Sequence, residues 1–99
     1  MSFPELSALS GVELAEKIRT REVSPVEVVD AALARIDRLD PRLNSFVTVM
    51  RQQARADAQA AERELAEGHY RGPLHGLPVC HKDICDVAGV KMKTITRAE

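Results

Sequence analysis

The sequence predicts an α/β chain in which two helices are followed by a βαβ unit. Three features support this class: two serine-led helix starts, a β-branched run before an alanine-rich stretch, and a short apolar run after glycine and proline. A strand, a helix and a second strand in this order typically make a parallel pair with a right-handed crossover. The expected helices span 11–20, 25–39 and 51–67, and the expected strands span 46–50 and 77–81.

The two serine-led starts have the spacing of a capping box. Ser10 precedes Glu13 by three residues, and Ser24 precedes Glu27 in the same way. In this arrangement the hydroxyl and the carboxylate each accept a hydrogen bond from a backbone N–H of the first turn. Pro25 reinforces the second start, because proline is suited to the first helical position.

The second helix carries one apolar stripe and a predicted stop. Its apolar residues recur at spacings of three and four, so they face a core: Val26, Val29, Leu33, Ile36 and Leu39. Asp40-Pro41 predicts the end of the helix, because a residue before proline is pushed out of helical geometry. The pair of helices has no basic recognition face, which favours a scaffold over a DNA-reading motif.

The βαβ prediction depends on the middle of the chain. Residues 46–50 are aromatic and β-branched and follow a turn-like segment, which is typical of a strand. Residues 51–67 are rich in strong helix formers, and Gly68 is placed to end the helix. One face of this helix carries mostly small side chains that suit packing on a sheet: Ala54, Ala58, Ala61 and Leu65. Residues 77–81 then indicate a short buried strand.

Composition restricts the function classes. The chain has 99 residues with 14 basic and 15 acidic side chains, so it lacks the charge excess of a nucleic-acid-binding protein. Its two cysteines argue against a disulfide framework. The first ten residues lack the pattern of a signal peptide, and no apolar run approaches a membrane span. We therefore expect a cytoplasmic protein with no nucleic-acid or membrane partner and no cofactor; the oligomeric state stays open.

One motif in the sequence indicates a catalytic function. The run Gly72-Pro73-Leu74-His75-Gly76-Leu77-Pro78-Val79-Cys80-His81-Lys82-Asp83 resembles the start of the signature region of the amidase signature family, serine hydrolases that cut carbon–nitrogen amide bonds. In that family a Gly-Pro-Leu-x-Gly-hydrophobic-Pro run leads to a Lys-Asp pair, and the lysine is catalytic. The resemblance therefore implies that Lys82 is the catalytic residue of this chain.

The same resemblance extends over nearly the whole chain and fades after Gly89-Val90. It implies that residues 1–99 are an incomplete N-terminal portion of an amidase domain without an internal boundary. The family's lysine works with two serines of a later glycine- and serine-rich segment, one on a cis peptide and one the nucleophile. No serine here lies in a glycine-rich turn: Ser2, Ser7, Ser10, Ser24 and Ser45. We expect the chain alone to be inactive on the small amides that the family hydrolyses.

The chemistry explains why a lysine would be used at position 82. A general base must be unprotonated, whereas the ordinary pKa of lysine lies far above neutral pH. Burial and nearby positive charge lower the pKa of an amine enough to make it a workable base. Without the remainder of the domain to bury it, we expect Lys82 to be solvated and protonated.

Three alternatives stay open. His81 before the lysine is similar to the A subunit of the glutamyl-tRNA(Gln)/aspartyl-tRNA(Asn) amidotransferase, which hydrolyses glutamine and works with partner subunits. The chain could instead be a non-catalytic remnant or a helical interaction module. The third alternative is a metal site, since four residues of types that bind zinc fall within eleven positions: His75, Cys80, His81 and Cys85. Their spacing matches no trusted zinc pattern, so we predict no metal.

Overall fold

Four helices form the described part of the chain. The computed structural model describes residues 2–81 and residue 88, and its helices are α1 (Phe3–Ser7), α2 (Gly11–Arg19), α3 (Pro25–Leu43) and α4 (Arg51–Ala66). Helices α1 and α4 both pack against α3, which is therefore the central element. Among the described residues, no helix has the length and apolarity needed to cross a membrane.

Both predicted capping boxes are present. The Glu13 backbone N–H donates to Ser10 Oγ at 3.1 Å, and the Ser10 N–H donates to Glu13 Oε1 at 3.1 Å. At the start of α3, the corresponding distances between Ser24 and Glu27 are 3.1 and 3.3 Å. These bonds satisfy backbone donors that the first helical turn leaves unpaired, so the starts of α2 and α3 are confirmed as predicted.

The predicted end of the second helix at residue 39 is wrong, because α3 continues through Pro41 to Leu43. Proline removes one backbone donor and clashes with the preceding turn, which is costly in the middle of a helix. Here it lies in the last turn, where few residues still depend on the hydrogen-bond ladder. The local cost therefore does not end the helix at Pro41.

Asn44 ends α3 instead. Its backbone is left-handed, with φ 55° and ψ 42°, and its N–H donates to the Asp40 carbonyl at 2.6 Å. Asparagine tolerates this conformation better than most residues, which makes it a common helix terminator. The Asp40 carboxylate then accepts from the N–H groups of Ser45 at 2.7 Å and Phe46 at 3.2 Å, so Asp40 binds three successive backbone N–H groups at the turn out of the helix.

Helix α1 was not predicted from the sequence. It is a single short turn of five residues, with Ser2 as its N-cap and Pro4 in its first turn. Its role is to bury Leu6, which is 2% exposed and joins the core under α3. Its anchor to α3 also includes a hydrogen bond of 3.1 Å from Arg35 Nη1 to the Ser7 carbonyl.

The two predicted strands are not formed. Residues 46–50 and 77–81 are irregular, and the described part of the chain contains no strand, so the βαβ unit is not shown. A strand requires a neighbouring backbone to accept and donate its hydrogen bonds. Residues 46–50 have an apolar, β-branched composition that suits a strand, but no described segment pairs with them.

The core consists of two apolar clusters along α3. The first lies between α1, α2 and α3, and is composed of Leu6, Ile18, Val23, Val28 and Ala31, with Leu9, Leu14, Leu65 and Leu77 packed around it. The second lies between α3 and α4, and is composed of Val29, Leu33 and Ala58, with Val26, Val49 and Ala54 around it. The alanine face of α4 thus packs on a helix rather than on a sheet.

Candidate functional site

The candidate site begins at the loop of residues 72–76, called here the Gly72–Gly76 loop. It contains two successive tight turns, with the His75 N–H donating to the Gly72 carbonyl at 2.9 Å and the Leu77 N–H donating to the Leu74 carbonyl at 3.2 Å. Gly72 and Gly76 have φ of 126° and 80°, a region in which only glycine is unstrained. The glycines of the motif therefore shape the backbone that leads to Lys82.

His75 fastens this loop to α4. Its side chain is buried at 7% exposure, and its Nδ1 accepts a hydrogen bond from the Arg71 N–H at 3.1 Å. Its Nε2 lies 2.9 Å from the Ala61 carbonyl oxygen, which can only accept. The geometry therefore requires the neutral ring with its proton on Nε2.

The opposite side of the loop rests on the start of α3. A Cβ built on Gly76 would lie 2.8 Å from Pro25 Cγ and 3.4 Å from Ile18 Cγ2. The next residue, Leu77, packs against the first apolar cluster together with Leu65 of α4. The loop is thus held between α4 on one side and the junction of α2 and α3 on the other.

The segment after Leu77 is not the buried strand that the sequence predicted. Val79 is 71% exposed, and Cys80 and His81 are exposed as well. Cys80, which the predicted buried strand would have covered, is instead an exposed free cysteine. A short apolar run buries itself only when a neighbouring layer covers it, and no described element covers this one.

Lys82, the predicted catalytic residue, lies outside the described residues, as do Asp83 and Cys85. Of the residues that precede it, 75–77 are held between α4 and the start of α3. The metal alternative loses one of its four ligand candidates, because both ring nitrogens of His75 are engaged with backbone groups. Sequence reasoning considered His75 only as a metal ligand and missed its structural contact, for which no local sequence signal exists.

Three of the serines have a structural role. The hydroxyls of Ser2, Ser10 and Ser24 each accept a hydrogen bond from the backbone of a helix first turn, at 3.4, 3.1 and 3.1 Å. A hydroxyl used as an N-cap sits beside a helix terminus and is held there by the backbone. These three serines are therefore caps rather than nucleophiles.

An open cavity of about 600 Å³ lies between α4 and the Gly72–Gly76 loop. Its charged lining includes Asp57 of α4 and the ion pair between Arg71 and Glu64. The Arg71 side chain is 74% exposed and the Glu64 side chain 25% exposed, so the pair joins the rim of the cavity to its wall. The cavity therefore opens beside the motif loop, next to the face of α4 that carries Asp57 and Glu64.

Comparison with known proteins places the motif in a family. The Amidase family profile matches residues 27–97, which is well over half of the chain and includes the whole run from Gly72 to Asp83. The chain belongs to the amidase family. The chain is 48% identical over 80 residues to the putative amidase AmiD of Mycobacterium tuberculosis (strain ATCC 25618 / H37Rv), a match that covers 81% of the chain and 17% of that protein.

Two further relatives extend the comparison. An amidase of Pseudomonas putida is 42% identical over 85 residues, covering 86% of this chain and 18% of its own length. The A subunit of the glutamyl-tRNA(Gln) amidotransferase of Methylococcus capsulatus is 51% identical over 79 residues, covering 80% of this chain and 16% of its own length. The chain therefore spans less than a fifth of the length of these relatives. No solved structure matches it.

Proposed function

We propose that this chain is the lysine-bearing segment of an amidase that hydrolyses carbon–nitrogen amide bonds, with Lys82 as the base of a Ser-cisSer-Lys mechanism. The observation that supports it most is the family match over residues 27–97, since this range contains the Lys82 motif. For the complete domain we propose the α/β fold of the family, in which further strands would pair with residues 46–50 and 77–81. A small-molecule amide is the proposed substrate, and the cytoplasm the proposed location.

In the proposed reaction the neutral amine of Lys82 accepts a proton from the hydroxyl of one serine. That serine in turn takes the proton of the second serine, whose oxygen attacks the amide carbonyl. The carbon–nitrogen bond breaks, the amine leaves with a proton, and water hydrolyses the acyl-enzyme. Both serines are proposed to come from outside these 99 residues. Three of the five serines present already serve as helix caps, and the other two, Ser7 and Ser45, lie in no glycine-rich turn.

A segment exchange tests the proposal. The Pseudomonas putida amidase would carry this chain in place of its matching segment, and this protein is called here the chimera. We expect the chimera to hydrolyse the amide substrates of the parent enzyme and the free 99-residue chain to hydrolyse none. A chimera that folds but has no activity would argue for a non-catalytic remnant, and activity of the free chain would contradict the proposed division of catalytic residues.

A second candidate is the glutamine-hydrolysing component of a tRNA amidotransferase, which releases ammonia and works with partner subunits. Two observations favour it: His81 directly precedes Lys82, and the Methylococcus capsulatus relative with that name is 51% identical over 79 residues. The corresponding test places this chain in the Methylococcus capsulatus protein, in exchange for the segment that it matches. This candidate would be favoured if the Methylococcus capsulatus exchange protein released ammonia from glutamine only with its partner subunits present. The rate should then exceed that of the Pseudomonas putida chimera on simple amides.

A further inference from the structure

We propose that His75 is a pH-dependent switch for the shape of the Gly72–Gly76 loop. While the ring is neutral, it holds the loop against the backbone N–H of Arg71. When the ring gains a proton, this bond breaks and the Arg71 end of the loop detaches, whereas the ring stays bound to Ala61 of α4. The change lies within the described residues and does not depend on the proposed role of Lys82.

The partners of His75 fix the charge of its ring. Among the described residues, His75 is the one buried polar or charged side chain, at 7% exposure. Its Nδ1 accepts from the Arg71 N–H at 3.1 Å, and its Nε2 lies 2.9 Å from the Ala61 carbonyl oxygen. A backbone N–H can only donate and a carbonyl oxygen can only accept. Both bonds therefore exist together only when the ring is neutral and carries its proton on Nε2.

Protonation affects the two bonds differently. A protonated imidazole carries a hydrogen on both nitrogens. The hydrogen on Nε2 still points to the Ala61 carbonyl, so that bond remains. At Nδ1 the new hydrogen would face the hydrogen of the Arg71 N–H across 3.1 Å, and neither nitrogen could accept. The two groups must separate, so the bond between the ring and Arg71 is the one that breaks.

The other contacts of this segment restrict the change to the start of the loop. The bond from the His75 N–H to the Gly72 carbonyl, at 2.9 Å, lies inside the tight turn and does not involve the ring. The Arg71 guanidinium pairs with Glu64, but a long side chain does not fix the direction of its own backbone N–H. Because Arg71 and Gly72 line the cavity beside α4, the wall of this cavity changes with the charge of the ring.

Charged and titratable groups face the ring from α4 and from the loop. Asp57 and Glu64 of α4 line the same cavity as the imidazole, and Glu64 is paired with Arg71. The Tyr70 ring lies 5.9 Å from the imidazole, measured between ring centroids. On the side of α2 and α3, the loop contacts apolar side chains. The two carboxylates are acceptors to which the new Nδ1 hydrogen can turn once the Arg71 end has detached.

NMR spectroscopy of the 99-residue chain tests the switch over about pH 5–8, the range in which histidine ordinarily titrates. Ring nitrogen shifts report the charge and the tautomer of His75, and a coupling through the hydrogen bond between the nitrogen of Arg71 and Nδ1 reports the bond itself. We expect this coupling while the ring is neutral with its proton on Nε2, and we expect it to vanish as pH falls and the ring is protonated. The Arg71 amide should then lose about ten-fold or more of its protection against solvent exchange, whereas the His75 amide keeps its protection.

Histidine variants identify the ring that is responsible. The chain has three histidines, and the other two, His69 and His81, are exposed. In His75→Gln the protection of the Arg71 amide should be low and independent of pH, since glutamine does not ionise. His69→Gln is the matched control and should keep the pH dependence of the wild-type chain. Helix content by circular dichroism establishes that each variant is folded, and if His75→Gln is not, the wild-type titration decides.

Each of four results would overturn the switch. A neutral ring with its proton on Nδ1 would contradict the assigned bonds. A protonated ring with unchanged coupling and unchanged Arg71 protection would show that the charge does not break the bond. A ring that stays neutral down to about pH 5 would show that no switch operates in the range of histidine. Loss of protection at the amides of α3 and α4 together with Arg71 would show acid unfolding in place of a local change.

Discussion

Gly76 lies directly against the ring of Pro25, the first residue of α3. A Cβ on residue 76 would lie 3.0 Å from Pro25 Cβ and 2.8 Å from Pro25 Cγ, and the second distance is closer than real carbon atoms approach. The φ of Gly76 is also +80°, a conformation that side chains rarely adopt. Two independent constraints therefore require glycine where the motif loop meets the helices.

Replacing Gly76 should destabilise the protein through both constraints. We expect Gly76→Ala to lower the free energy of unfolding by about 2–4 kcal/mol, from backbone strain together with overpacking against Pro25. The matched control is Gly68→Ala, because Gly68 has φ +81° but no atom within 4 Å of its Cβ position. It should cost only about 1 kcal/mol. Urea denaturation measures both, and equal losses would show that the contact with Pro25 carries no energy.

Ile18 is the most buried large side chain of α2, with 0% exposure at the centre of the first apolar cluster. Ile18→Ala removes buried methyl groups and leaves a cavity under α3, so we expect a loss of about 2–5 kcal/mol in unfolding free energy. Val12 lies on the same helix and is 83% exposed. Val12→Ala should change stability by less than about 0.5 kcal/mol. A similar effect of both substitutions in chemical denaturation would contradict the assigned orientation of α2.

The capping box of α2 predicts a dependence of stability on pH. The Ser10 backbone N–H holds the pKa of Glu13 below its ordinary value, and the Ser10 hydroxyl and the charge of Lys17 act in the same direction. The pKa of Glu16 is lowered by its hydrogen bond to Arg19. Because these folded-state values are lowered, the stabilisation is present above the ordinary carboxylate pKa and is lost as pH falls through the lowered values.

Thermal melts between about pH 5 and about pH 3 measure this loss. Glutamine retains the hydrogen-bonding geometry of the box but does not ionise, so Glu13→Gln should flatten the fall in Tm over this range. Glu16→Gln should flatten it independently. If the wild-type chain and both variants lose stability in parallel, the acid dependence arises elsewhere.

The helices were predictable where a local signal defines them. Ser10 and Ser24 supplied such signals, and α2 and α3 begin where these residues indicated. The end of α3 differs from the prediction because the residue before a proline is biased away from helical geometry but not excluded from it, and the terminating residue is Asn44 with its left-handed backbone. The short helix α1 also has a local signal, since Ser2 and Pro4 stand at its start, and it could have been found.

The remaining errors concern long-range contacts. Residues 46–50 have the composition of a strand, but composition cannot specify whether another segment pairs with them. The burial expected for Cys80 likewise depended on a covering layer that the described residues do not include. His75 illustrates the same limit at the candidate site, because its bond to Ala61 joins residues that no sequence pattern relates. The motif around Lys82, in contrast, was recognisable because its information lies in consecutive residues.

The most direct test of the proposed role of Lys82 is kcat/KM for amide hydrolysis by the chimera before and after Lys82→Ala. Removing a general base typically costs about 10²- to 10⁴-fold, so we expect a loss of at least about 100-fold. Lys17→Ala should have no effect, because Lys17 lies on α2, away from the motif, and pairs with Glu22 in the segment after this helix. A Lys82→Ala chimera that retains the wild-type kcat/KM would contradict the proposed function.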